Sequence, residues 1–140
     1  MAVRVRIRIA RAARRDPRFI ETVAVANSGF EAEEPELLLP IRAAERLGLW
    51  PPPAGAHAAH FESPAASFSM TSVRHGVRVS LAGGRRLVVA NAILAERETE
   101  VVMNDHLVEA LKLVLVAPAS GRYRVGSRGR IRESDPAETW

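Results

Sequence analysis

The chain contains no cysteine. That excludes disulfides, zinc–thiolate sites, iron–sulfur clusters and cysteine nucleophiles together. It contains no glutamine, and its only lysine is Lys112, so all the other basic residues are arginines. Aspartate is confined to Asp16, Asp105 and Asp135, and asparagine to Asn27, Asn91 and Asn104. Aromatic residues make up only 5% of the chain, too few for a row of base-stacking platforms. No apolar run approaches the roughly 20 residues that a membrane-crossing helix needs. The first ten residues, MAVRVRIRIA, alternate arginine with hydrophobe and lack the continuous apolar stretch of a secretory leader. A soluble, cytoplasmic protein that does not engage membranes is the expectation.

What is present is an ordinary globular composition. The 140 residues are 47% hydrophobic and 26% charged, which suits one domain with a sizeable core. The net charge is +4, and the isoelectric point near 10.8 reflects arginine's persistent proton more than a strongly basic surface. Arginine and alanine in place of lysine and glutamine fit a thermophilic source and equally a GC-rich genome.

Val3, Val5, Ile7 and Ile9 alternate with Arg4, Arg6 and Arg8, the period of two of a strand with one buried face. Phe19 to Ala26 reads as a second strand, buried on both faces toward its end. Leu37 to Leu39 reads as a short buried strand. Pro40 and Gly48 bracket a short helix over 41–47. The stretch 54–67, rich in Ala, His, Ser and Pro, reads as a loop or the rim of a hairpin. Strands are expected over 68–73, 77–81 and 87–94, with Gly83-Gly84 turning between the last two. A short strand over 101–103, a helix over 105–111 and closing strands over 113–116 and 123–125 complete the domain. Residues 127–140 form a polar tail, expected to fray from Arg128 to Trp140. The sum is a mainly β barrel or sandwich.

Three stretches in this order carry a resemblance. Val23-Ala24-Val25-Ala26-Asn27-Ser28-Gly29-Phe30 is an apolar strand ending in a small polar turn. Leu37-Leu38-Leu39-Pro40 and Leu47-Gly48-Leu49 bracket the first helix. Val101-Val102-Met103-Asn104-Asp105-His106-Leu107 leads into the second. Together they resemble the retropepsin-like aspartic peptidases, the single-domain relatives of retroviral proteases, over about residues 2 to 126. The resemblance implies a closed acid-peptidase barrel with one or two short helices, a flap near residues 54–69 and a cleft that takes an extended peptide. It implies no cofactor and no metal. It also implies a homodimer, because one copy of the motif supplies half of a catalytic pair.

Two positions depart from the family pattern. Asn27 stands where the family has its catalytic aspartate, while Ser28 and Gly29 keep the pattern. Met103 stands where the family has glycine. Asparagine cannot ionise or act as a general base, and the family's two aspartates work by sharing a proton. The expectation is an aspartic peptidase-like homodimer that is catalytically inactive with Asn27 in place. It is either a degenerate relative or an Asp→Asn variant, and Met103 favours the former. The alternative is a non-catalytic module that holds an extended peptide in the same cleft.

Other features have simpler explanations. Arg4, Arg6 and Arg8 form a stripe that could follow phosphates, but a solvated strand face balanced by acids is preferred to a nucleic-acid surface. His57 and His60 have no third ligand nearby in sequence for a metal. Asp105 and His106 read as the start of a helix capped by Asn104 or Asp105. Trp50 reads as a cap on the core where the first helix ends.

Overall fold

The computed structural model describes residues 2–13, 15–26, 32–62 and 67–140. The elements in chain order are β1 (Val3–Arg11), β2 (Phe19–Ala26), β3 (Glu36–Pro40), α1 (Ile41–Arg46), β4 (His57–Glu62), β5 (Ser67–Leu81) and β6 (Val88–Ala95), followed by β7 (Val101–Met103), α2 (Asp105–Ala110), β8 (Leu113–Ala117), β9 (Arg122–Val125) and β10 (Arg132–Glu133). Strands β1-β2-β7-β3-β6-β5 lie side by side in that order, and β5 returns to pair with β1, closing a six-stranded barrel. The β2/β7 and β3/β6 pairs are parallel and the others antiparallel. β4 stands outside the closure, paired only with the first half of β5. A separate three-stranded sheet holds β8, β9 and β10.

The alternation read from the sequence sets β1. Val3, Val5, Ile7 and Ile9 are buried inside the barrel, and the arginines between them point out. The central strands show no such alternation, and the reason is visible in the packing. Ala24, Ala26, Leu37, Leu39, Ala92, Leu94, Val101 and Met103 join the barrel interior, while Val25, Leu38, Ile93 and Val102 form a second apolar cluster on its outer face. Ala2, Ala59 and Met70 cover that outer cluster. Strands buried on both sides read as continuous hydrophobic runs, as in VAVA, LLLP and NAIL.

Gly48 ends α1 with a φ of +70°, the left-handed geometry that favours glycine. Its carbonyl accepts a 2.7 Å bond from the Arg11 guanidinium. Trp50 packs against the main core, as expected of a cap. Asn104 caps α2 by accepting from the Leu107 N–H at 3.0 Å.

Three sequence expectations need correction. First, residues 57–62, read as part of a loop or the rim of a hairpin, form a regular strand, β4. Alternating His and Ala carries little hydrophobic signal, and the strand exists through its pairing with β5. Second, the two strands expected at 68–73 and 77–81 are one strand, β5, with a register irregularity between Val73 and Val77. His75 sits within it at a φ of +51°, and its N–H donates to Asn91 Oδ1 at 2.9 Å.

Third, the C-terminal tail does not fray. Ser134 Oγ accepts from the Arg4 N–H, the Asp135 N–H donates to the Arg4 carbonyl, and Asp135 Oδ2 accepts from the Arg6 N–H. Trp140 donates its backbone N–H to the Thr99 carbonyl and its indole N–H to Thr22 Oγ1. The tail occupies the edge of β1 that β5 leaves bare, since the β1/β5 register stops at Ile7.

Candidate functional site

A cleft of about 370 Å³ opens between the entry to β3 and the β4–β5 hairpin. It is lined by Glu33, Glu34, Glu36, His57, Ala59, Ser72, Arg74 and Asn91. Strand register explains why these residues meet. Val25 lies opposite Val102, Val102 opposite Leu38, Leu38 opposite Ile93, Ile93 opposite Ser72, and Ser72 opposite His57. One cross-sheet row therefore runs over the outer face from apolar residues to polar ones. In the next row Glu36 lies opposite Asn91. The apolar cluster continues directly into the polar cleft.

The centre of the cleft is an amide shared by two carboxylates. Asn91 Nδ2 donates to Glu34 Oε2 at 3.1 Å and to Glu36 Oε2 at 3.0 Å. Both amide hydrogens are thereby used. The two carboxyl groups sit in unlike surroundings. Glu36 is 7% exposed, and burial pushes its carboxyl up from the ordinary value, against the Asn91 hydrogen bond that favours ionisation. Glu34 lies at the rim. The Asn91 hydrogen bond holds its carboxyl down, assisted by Arg74 at 3.5 Å and His75 at 3.6 Å. Among the described residues, no cation lies within ion-pair distance of Glu36.

Asn104 fixes this rim from below. It is fully buried. Its Oδ1 accepts from the Glu36 N–H at 2.9 Å, and its Nδ2 donates to the Glu34 carbonyl at 2.9 Å. The side chain that starts α2 thus also places both cleft carboxylates.

The residues singled out in the sequence are distributed as follows. Asn27, Ser28 and Gly29 lie outside the described residues; they continue from Ala26, which faces Met103 across the β2/β7 pair. Met103 is fully buried in the barrel interior, so its bulk fills core space. Asp105 and His106 are exposed on α2. His57 and His60, three apart on β4, project to opposite faces of the strand and cannot share a ligand. Among the described residues, no group of three metal-ligating side chains gathers.

The arginine stripe is largely accounted for. Arg4 forms a two-point contact with Glu100 at 2.8 and 3.1 Å, and Arg6 pairs with Glu138 of the tail. Arg8 lies 3.8 Å over the Phe19 ring. The acids that balance the stripe are thus Glu100 and Glu138, while Glu21 faces Arg8 in register. A second hollow surrounds the β1–β2 turn, where Asp16 already engages Arg18 and Arg11.

These ion pairs carry a pH prediction. Arg4 and Arg6 hold the Glu100 and Glu138 carboxyls low, and Arg18 holds Asp16 at about 2. Their stabilisation is complete above the unfolded carboxylate range and is lost as pH falls through the folded values. Glu36 works in the opposite sense: its contribution is present at acid pH and is lost as pH rises through its raised value. Urea midpoints are expected to fall as pH drops below about 4. Glu36→Gln should remove a shallow decline in stability with rising pH just above that range, without altering the acid fall. An unchanged profile for that variant would show that Glu36 is not desolvated as described.

Glu36 and Asn91 were not singled out as site residues by the sequence reading. The available signal was chemical type in the wrong place: a glutamate and an asparagine at or inside runs that are otherwise buried. No family model matches the chain, and neither curated proteins nor solved structures yield a match.

Proposed function

We propose that the chain is a retropepsin-like module that pairs with a second copy and holds an extended peptide in its cleft, beneath the β4–β5 hairpin, without hydrolysing it. The observation that carries this reading is the β2/β7 pairing. The strand leading into Asn27-Ser28-Gly29 lies beside the strand Val101-Val102-Met103, in parallel register from Ala24–Val101 to Ala26–Met103. The resemblance requires those two segments to be neighbours at the centre of the molecule, although nearly eighty residues of sequence separate them. Two further features support it. The β4–β5 hairpin overlaps the region of the expected flap, and its Ala59 and Met70 pack on the outer apolar cluster. With Asn27 there is no ionisable group for a proton-sharing pair, so binding without cleavage is the activity that remains.

The test is a single substitution. Asn27→Asp should create acid-dependent cleavage of an unfolded protein substrate, blocked by a statine-type inhibitor, in a species that light scattering finds dimeric. The unsubstituted chain should bind extended peptides and leave them intact. A monomer, together with no cleavage by the variant from acid to neutral pH, would overturn the reading. Met103 is left in place because removing it would empty a core position.

A further inference from the structure

The peptide reading leaves the polar end of the outer-face row unexplained. The row ends in the buried Ser72 hydroxyl and His57, and the row beside it carries the buried Glu36 carboxyl. Glu36 carries a carboxyl group at 7% exposure, with one amide as its hydrogen-bond partner and no cation within reach among the described residues. Ser72 is 2% exposed and lines the same cleft, and among the described residues its hydroxyl makes no hydrogen bond. Two groups, one charged and one neutral, thus keep acceptor capacity on the sheet face that lines the cleft.

The chemistry of the missing partner follows from what is there. Most of the strong groups facing the cleft are acceptors or ambivalent: Glu33, Glu34, Glu36 and the Ser72 hydroxyl stand against Arg74 at the rim and the His57 imidazole, which lies outside ion-pair distance of Glu36. Asn91 has spent both amide hydrogens on the two carboxylates and its oxygen on the His75 N–H. Acceptors outnumber donors in the cleft. Arg74 contacts Glu34 alone, at 3.5 Å, with its side chain two-thirds exposed (66%), so it lies at the rim and leaves the interior open. Glu34 and Glu36 converge on one amide nitrogen, which brings their oxygens close enough for one planar cation to touch both. A guanidinium presents five donors in a rigid planar fork and loses less hydration than an ammonium when buried.

We infer that this cleft binds a guanidinium group, the side chain of an arginine on an extended peptide. The guanidinium bridges Glu34 and Glu36, with Ser72 Oγ as a third acceptor. The peptide that carries it lies across the mouth of the cleft, beside the β4–β5 hairpin. The identity of the carrier rests on the reading proposed above, but the acceptor cleft itself does not.

The test uses N-acetyl-L-arginine N-methylamide and its neutral isostere N-acetyl-L-citrulline N-methylamide, titrated into the isotopically labelled full chain and followed by amide chemical shifts. The arginine probe should shift the Asn91 side-chain amide and the Ser72 and Glu36 resonances. It should bind at least about tenfold more tightly than the citrulline probe. Glu36→Gln should abolish that preference. Ser72→Ala, which leaves both carboxylates in place, should weaken the arginine probe several-fold, and this keeps the test decisive if the glutamate variant folds poorly.

Equal affinity for the two probes, or shifts confined to the β1–β2 turn, would overturn the inference. A neutral hexapeptide separates this outcome from the larger reading. If it binds beneath the β4–β5 hairpin while the arginine probe shows no preference, the guanidinium site falls and the peptide reading stands. If the arginine preference is found but no peptide binds, the cleft assignment stands and the peptide reading falls.

Discussion

Asn104→Ala is expected to lower the unfolding free energy by about 3 kcal/mol, from the loss of one cap and two buried hydrogen bonds. The side chain makes three bonds with no solvent contact. It accepts from Leu107 and Glu36 and donates to the Glu34 carbonyl. Losing the helix cap costs about 1 kcal/mol. The Glu36 N–H and the Glu34 carbonyl each lose a partner in a place water reaches poorly, at about 1–3 kcal/mol for a buried orphan. For a chain of this size the melting temperature should drop by roughly 10 °C. Asn104→Asp separates the parts. It keeps the acceptor for both N–H groups but turns a carboxylate oxygen toward the Glu34 carbonyl. It should therefore retain α2 and lose the tie to the cleft rim, which the arginine probe would register as weakened binding. A loss of less than about 1 kcal/mol for the alanine variant, the size of a cap alone, would mean that Asn104 does not organise the cleft.

The same residue shows where sequence reading reached and where it stopped. Its role as helix cap was legible, because an asparagine three positions before a leucine at the start of an amphipathic pattern is a local signal. Its role in placing Glu34 and Glu36 was not, because those partners lie about seventy residues away. β1 was legible for the same local reason: strict alternation with one buried face. The central strands were legible as buried, but their runs do not state which residues face inward, so the division between Leu37 and Leu39 inside and Leu38 outside had to come from register. β4 was missed because histidine and alanine carry no β signal of their own, and the pairing with β5 makes the strand. Arg74, His75 and Gly76 looked like a chain break. The break is a bulge within one strand, stabilised by an asparagine on its neighbour.

The tail shows the limit most clearly and supports the second large effect. Removing residues 132–140 is expected to destabilise the chain by about 3–5 kcal/mol, taking roughly 0.5–1.5 kcal/mol for each lost hydrogen bond plus the partial burial of Trp140. The polar composition predicted fraying, yet the polar groups are the ones that bind. Ser134 and Asp135 satisfy the Arg4 and Arg6 backbone on the β1 edge, Glu138 accepts from the Val23 N–H and pairs with Arg6, and Trp140 closes over Thr22 and packs against the main core.

Truncation should do more than cost stability. It would leave the start of β1 as an open edge carrying unpaired N–H and C=O groups, a template for a second chain. The shortened protein is therefore expected to self-associate in a concentration-dependent way by light scattering. Trp140→Ala, which keeps the hydrogen bonds to β1, should cost about 1–2 kcal/mol from lost apolar burial and leave the association state unchanged. This comparison also constrains the proposed dimer. In the full chain the bare part of the β1 edge is occupied by the chain's own tail, so a dimer of the intact protein must form through another surface. If truncation instead abolished a dimer seen in the full chain, the tail would be part of the interface and its place along β1 would be secondary.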